Sequence, residues 1–218
     1  MEVSDVAPDG SAPDAMATMV DERIVSLSRL TAEAYQYREE LVATAQLLGA
    51  DPPGVVLEIG TGCGGWLWVM RPVMAPVVDI LTIDPDTCGR ITNSERVFAA
   101  LRDDDTKVRC LRLFSENPTV PVMVRHWLAG RAVDVLMIDG DHEYKAVRHD
   151  WETYSPMVRP GGLVLFHDIN PGPGHPLAPV DGAPRFWREE MATRLGALSI
   201  VSRDVGEGLG IGVIRMEG

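Results

Sequence analysis

VVLEIGTGCGG, residues 55–65, decides how the rest of the chain is read. A short aliphatic run enters a turn holding four glycines and leaves it into a helical pattern. Strand, turn and helix in that order open a parallel sheet, because parallel strands need a crossover and a helix is the usual one. The next apolar run, VDILTID (78–84), ends at Asp84 within LTIDPD (81–86). The same punctuation returns in VDVLMIDGDH (133–142) and GLVLFHDI (162–169), which end apolar runs at Asp139 and Asp168. A carboxylate at the tip of a buried strand has a task, and open α/β sheets bind ligands beyond the carboxyl ends of their strands.

Working outward, strands are expected at 55–59, 78–84, 108–114, 133–139 and 163–169. Helices are expected between them at 64–75, 89–102, 120–130 and 143–155. VDVLMID is apolar almost throughout, as a strand covered on both faces should be. Pro72 limits the first helix, and Pro160-Gly161-Gly162 reads as a turn. A Pro/Gly-rich loop (170–184) containing His175 precedes a helix at 185–196. Two strands around a glycine loop then close the chain as a hairpin. The expected fold class is α/β: a doubly wound, seven-stranded, mostly parallel sheet with an antiparallel C-terminal hairpin. Residues 1–18, rich in Ala, Pro, Asp, Ser and Gly, read as a flexible tail. Residues 19–50 read as a helical cap of two helices, and 51–218 as the main domain. Tyr37, Leu41, Ala45 and Leu48 form the apolar stripe of the second cap helix.

Composition sets limits. The 218 residues suit one sizeable core. No apolar run approaches membrane-spanning length, and MEVSDVAPDG has neither the basic start nor the apolar core of a secretory signal. Three cysteines, Cys63, Cys88 and Cys110, match neither a zinc cluster nor a disulfide framework, so a reduced, cytoplasmic protein is expected. The formal charge of -12 argues against nonspecific nucleic-acid binding. Among the aromatic and polar residues outside the motifs, Trp151 and Tyr154 read as core or subunit contact. His149 and Asp150 read as surface or helix-packing residues.

Gly60, Gly62 and Gly64 form a G-x-G-x-G turn that lets a ligand approach the backbone, and Asp84 can accept hydrogen bonds from both hydroxyls of a ribose. Glu58, just before the turn, would repel a pyrophosphate but could face a cationic or amine-bearing ligand. E-x-G-x-G-x-G followed by an acidic strand end resembles the class I S-adenosylmethionine-dependent methyltransferases, with their Rossmann-like sheet, over about residues 50–216. The resemblance implies S-adenosylmethionine as cofactor, with Glu58 and the glycine turn at its methionine end and Asp84 on the ribose. Asp139 joins this cofactor site. Leu113, Phe114 and Ser115 follow the third strand, and Ser115 is the candidate adenine contact.

The stretch from Met137 to Ile169, with Phe186-Trp187-Arg188-Glu189 beyond it, is similar to a narrower branch. This branch comprises metal-dependent sugar and natural-product O-methyltransferases, near the macrolide-sugar methyltransferases and cephalosporin hydroxylase-like proteins. It implies Mg2+, Mn2+ or another divalent metal on Asp139, His167 and Asp168. His167 stands where the branch has a glutamate, and could equally point into the sheet. The resemblance also implies His142 as general base and Asp139 as a catalytic residue, a small-molecule hydroxyl as methyl acceptor, and self-association into a homo-oligomer. Independently, two carboxylates on neighbouring strand ends would repel unless a cation or proton lies between them. Four other functions stay open: a metal-independent methyltransferase using His142 alone, an enzyme using the sulfonium for non-methyl chemistry, a nonenzymatic cofactor-binding partner protein and, least favoured because Glu58 and the IDGDH motif have no role in it, a nicotinamide oxidoreductase.

Overall fold

The computed structural model describes residues 11–87, 89–102, 106–170, 181–201 and 210–218. The chain begins with α1 (Ser11–Leu27), a 3-10 turn and α2 (Arg38–Ala50). The alternating part follows: β1 (Val55–Ile59), α3 (Gly65–Met70), β2 (Val78–Ile83), α4 (Ile91–Leu101), β3 (Thr106–Leu111), α5 (Val120–Leu128), β4 (Val133–Ile138), α6 (Tyr144–Tyr154) and β5 (Val158–His167). A short α7 (Ala183–Phe186) runs into a π-turn (Trp187–Met191), and β6 (Leu198–Ile200) and β7 (Ile211–Arg215) end the chain. The seven strands form one sheet in the order β3-β2-β1-β4-β5-β7-β6. β1 to β5 are parallel, and β7 runs antiparallel between β5 and β6. The expected doubly wound sheet and closing hairpin strands are therefore present, although residues 202–209, read above as the glycine loop between them, lie outside the described residues.

Alternation along the strands builds two cores. Val56, Val135, Met137 and Leu165 face one side with α1 to α4, while Leu57, Leu136, Ile138 and Phe166 face the other with α5 to α7. Both faces of β4 are thus covered, which is why its sequence is apolar almost end to end. Val20, Leu27, Leu41, Ala45 and Leu48 of α1 and α2 belong to the first core, so the segment read as a cap also forms a layer of the domain. Arg23 fastens α1 to α3. Its guanidinium donates twice to the Trp68 carbonyl, at 2.8 and 2.6 Å, and stacks 3.5 Å from the Trp68 ring.

Four boundaries differ from expectation. α1 starts at Ser11, inside the segment read as a tail; Ala15, Met16 and Ala17 are good helix formers. β3 stops at Leu111, so Leu113 to Ser115 lie in the following loop. β5 starts at Val158, because Pro160-Gly161-Gly162 forms a bulge rather than a turn. Val133 pairs with Val158 and Val135 already pairs with Leu163, and Gly161 and Gly162 bond to Met216 at 2.8 and 2.9 Å. The helix expected at 185–196 is instead α7 and its π-turn, which presses the Trp187 ring against Gly212 of β7.

Asp150 on α6 is buried, with 1% exposure. Burial, helped by Glu116 and Asp141 and opposed by Ser115, pushes its carboxyl from an ordinary 3.8 up to about 7. The unfolded chain therefore ionises Asp150 at a pH where the folded chain still holds the proton. Stability must fall as pH rises from about 4 to about 7, by up to about 4 kcal/mol from this group. Asp150→Asn keeps the shape and removes the ionisation. In urea titrations it should be more stable than the parent at pH 8 and nearly equal to it at pH 4. The same difference at both pH values would refute the buried-acid assignment.

Candidate active site

The strand tips are stitched together. Gly60 N donates to Ile83 O at 2.9 Å, Asp139 N to Ile59 O at 2.8 Å, and Asp84 N to Leu111 O at 3.0 Å. These bonds extend the ladders of β1 to β4 by one residue and hold Asp84 and Asp139 at a common edge. Gly60 has φ +85°, and a Cβ there would lie 1.9 Å from the Asp139 carbonyl oxygen. Only glycine fits that crossing. Beyond this edge lies a cavity of about 600 Å³. Its wall includes Glu58, Gly60, Gly62, Asp84, Ser115, Asp139, His142, His167 and Asp168. Gly64 is one residue outside the lining, in the same turn with φ +79°.

Each expected cofactor residue has a distinct setting. Asp84 Oδ2 accepts from Thr61 N and Gly62 N at 2.9 and 2.8 Å, and Oδ1 accepts from Asp86 N at 2.6 Å. Those bonds fill three of the roughly four acceptor positions of a carboxylate. Glu58 is 2% exposed, and its Oε2 has no hydrogen-bond partner among the described residues. Burial, then the nearby charges of Asp139 and Asp84, raise its pKa well above the ordinary range. The protonated form of Glu58 is thereby favoured in the ligand-free site. Ser115 is buried, its carbonyl taking the Tyr154 hydroxyl at 2.7 Å, and Phe114 lies exposed in the cavity wall. Leu113 packs into the second core instead.

Asp139, His142 and Asp168 bring one ligand atom each within 4.8 Å of one another. Asp139 and Asp168 follow adjacent strands, and His142 opens the loop into α6. His142 Nε2 lies 3.0 Å from Asp168 Oδ2 and 3.6 Å from Asp139 Oδ1. The His142 carbonyl accepts from Ala183 N at 2.8 Å, tying this loop to α7. Asp168 has φ +60°, unusual for a non-glycine residue and a known companion of functional sites. His167 is buried and also meets both carboxylates, with Nδ1 3.0 Å from Asp139 Oδ1 and 3.1 Å from Asp168 Oδ1, and Nε2 3.9 Å from Glu40 Oε2. Both imidazoles thus reach Asp139 and Asp168, and His142 is the one whose ligand atom groups with theirs within 4.8 Å.

The charges are mutually dependent. Burial alone would raise Asp139, but His167 and His142 outweigh it and hold the carboxyl at about 2. Burial alone would lower His142, but Asp139 and Asp168 outweigh it and raise the imidazole to about 10. His167 is likewise pushed well above 6.5, against the effect of burial, chiefly by Asp139. In the ligand-free site both shifts favour the imidazolium form.

Two site residues escaped the sequence analysis. Gln36, between α1 and α2, donates from Nε2 to Asp139 Oδ2 at 2.9 Å. Glu40, fully buried in the first turn of α2, accepts from Tyr37 N at 2.9 Å and Gly210 N at 2.8 Å while facing His167. The linker reaches the site because Gly65 has no side chain; a Cβ there would lie 2.0 Å from Glu33 O. The one available signal was that Glu40 is next to Leu41 on the buried stripe of α2. His175 and the rest of 171–180 lie outside the described residues.

Residues 57–169 match the family model described as a methyltransferase domain. The uncharacterized protein R132 of Acanthamoeba polyphaga mimivirus is 28% identical over 114 residues, 51% of this chain. The chain spans about half, 50%, of that relative's length. The O-methyltransferase TomG from Streptomyces achromogenes, involved in tomaymycin synthesis and solved with SAM, superposes with a TM-score of 0.61 at 19% identity. That match covers 98% of this chain and 92% of TomG. An O-methyltransferase from Bacillus cereus, solved with SAH, gives 0.58 at 16% identity, covering 98% of this chain and 94% of that one. These structural likenesses establish a shared fold. The family match takes in β1 and its glycine turn, Asp84, the IDGDH stretch and the tip of β5, and by it the chain belongs to the methyltransferase domain family.

Proposed function

We propose that this chain is an S-adenosylmethionine-dependent O-methyltransferase that moves the sulfonium methyl to a hydroxyl of a small molecule, aided by a divalent metal. The observation that carries this is the meeting of Asp139, His142 and Asp168 within 4.8 Å, in the wall of the cavity that also contains the glycine turn. The relatives named for O-methylation, one solved with SAM and one with SAH, support the same chemistry. A sugar or secondary-metabolite hydroxyl is the acceptor we favour, from the branch that the IDGDH stretch resembles. Antibiotic or other natural-product biosynthesis is its natural setting. We place the protein in the cytoplasm, in keeping with the free thiols of Cys63 and Cys110, and expect it to act as a homo-oligomer without nucleic-acid or membrane partners. No helix among the described residues is long and apolar enough to cross a membrane.

The donor set suits a divalent cation. Two carboxylates and an imidazole converge, and the buried Asp168 Oδ1 faces the His167 ring, with Nδ1 at 3.1 Å. Oxygen donors favour Mg2+ and also suit Mn2+, which leaves the His142 nitrogen free to take a proton. Asp139 and Asp168 would hold the ion, which when bound would polarise the acceptor oxygen and lower its hydroxyl pKa. The chain's own residues do the rest. Gly60 opens the floor on which the methionine end lies, and Asp84 keeps acceptor capacity for a ribose hydroxyl. Ser115 and Phe114 border the adenine side. Asp139 and Asp168 keep His142 protonated, so Nε2 becomes a proton acceptor once another cation neutralises them. Orienting the acceptor oxygen in line with the sulfonium methyl is the largest contribution.

The first test is calorimetric titration with S-adenosylmethionine after exhaustive chelation, with and without added Mg2+, followed by an acceptor screen read by product mass. Saturable binding and a methylated alcohol are expected. Turnover that persists at full rate after chelation would favour the metal-independent reaction. Asp168→Asn keeps the shape and tolerates positive φ. It should lower turnover by roughly a hundredfold or more while cofactor affinity stays close to the parent's; unchanged turnover would remove the metal from the mechanism.

Glu58 makes a separate prediction. A cationic cofactor favours the ionised carboxylate, whereas burial and the neighbouring Asp139 and Asp84 charges in the empty site favour the protonated form. Affinity for S-adenosylmethionine should therefore rise with pH, with proton release on binding. Glu58→Gln should bind more weakly and lose most of that pH dependence. Calorimetry in buffers of different ionisation enthalpy measures both quantities.

A further inference from the structure

We infer that Gln36 is a cofactor-binding residue whose amide oxygen accepts from the α-ammonium of the cofactor's amino-acid end, while its NH2 group orients Asp139. The inference rests on the cofactor assigned above. Gln36 is 7% exposed and lies in the cavity wall. The orientation of its amide is fixed by chemistry: an ionised Asp139 only accepts, so the NH2 group must be the one at 2.9 Å from Oδ2. That leaves Oε1, which is buried and has no hydrogen-bond partner among the described residues.

A buried amide oxygen without a donor is costly, and a native chain keeps one where a ligand will supply the donor. Two other groups in the same wall indicate what kind of donor. Glu58 Oε2 is also buried with no hydrogen-bond partner among the described residues, and the Asp139 carboxylate lies in the same wall. An amide oxygen and two carboxyl groups call for a cationic group with several N–H bonds. An ammonium satisfies all three, while a single hydroxyl has one proton to give.

The test is calorimetric titration of the full chain with two ligands. S-adenosylhomocysteine carries the α-ammonium. 5′-Methylthioadenosine keeps the adenosine and thioether but lacks the amino-acid end. Gln36→Met preserves size and Gln36→Ala removes the side chain; 5′-methylthioadenosine binding reports whether each variant is folded. The expected result is a loss of about tenfold or more in S-adenosylhomocysteine affinity with 5′-methylthioadenosine affinity within about twofold of the parent. Equal losses for both ligands would reduce Gln36 to a structural role, and unchanged S-adenosylhomocysteine affinity would remove it from the site. A parent chain that binds neither ligand would overturn the cofactor assignment itself, whereas a parent that binds both and variants that fail the pattern overturn this inference alone.

Discussion

The site depends on one close backbone crossing. Gly60 passes so near the Asp139 carbonyl that no side chain fits between them, and the bonds from Gly60 to Ile83 and from Asp139 to Ile59 lock that approach. The crossing joins the tips of β2, β1 and β4 into one rigid edge. Asp84 then reaches back to the N–H groups of Thr61 and Gly62, so the glycine turn is held open by a carboxylate of the neighbouring strand. A turn pinned this way needs little further ordering when a ligand arrives, and pre-organisation of that kind favours binding.

Rigidity at the edge also explains how the buried charges are tolerated. Asp139, Asp168, Glu40 and Glu58 lie in a small volume, and taking charges out of water costs several kcal/mol each unless they are paired. The chain resolves this in two ways. Glu58, with no cation beside it, keeps its proton. Asp139 is ionised, with His142 and His167 as its counter-cations. The same type of side chain thus takes opposite protonation states within one cavity, and the difference follows from whether an imidazole is in reach.

Much of this was legible in the sequence because it is local. Apolar runs of strand length, their glycine or acidic ends, and the helical patterns between them specify the sheet and put Asp84, Asp139, His142 and Asp168 at its carboxyl edge. What was not legible depends on distant partners. Gln36 meets Asp139 across 103 residues, and nothing near Gln36 announces that contact. Glu40 looks like an ordinary charge in a first helical turn until Gly210 and His167 arrive from the far end of the chain. Pro160-Gly161-Gly162 reads as a turn because its partner Met216 lies just beyond β7, at the far end of the chain. His142 was placed correctly, but its charge depends on two carboxylates whose distances no spacing rule supplies.

The division of labour around Asp139 follows from these charges. One oxygen faces two imidazoles, and the other faces the Gln36 amide. The imidazole side can change its charge; the amide side cannot. A cation bound on the imidazole side, as proposed, would compete with His142 for Asp139 and Asp168 and so would alter the charges that favour its protonated form. If the neighbour of Oδ2 were also ionisable, both oxygens would respond together and the carboxylate would lose its fixed orientation. A neutral side chain that donates to Asp139 and still has an acceptor to spare holds that carboxylate in place while the charge on its other side is exchanged.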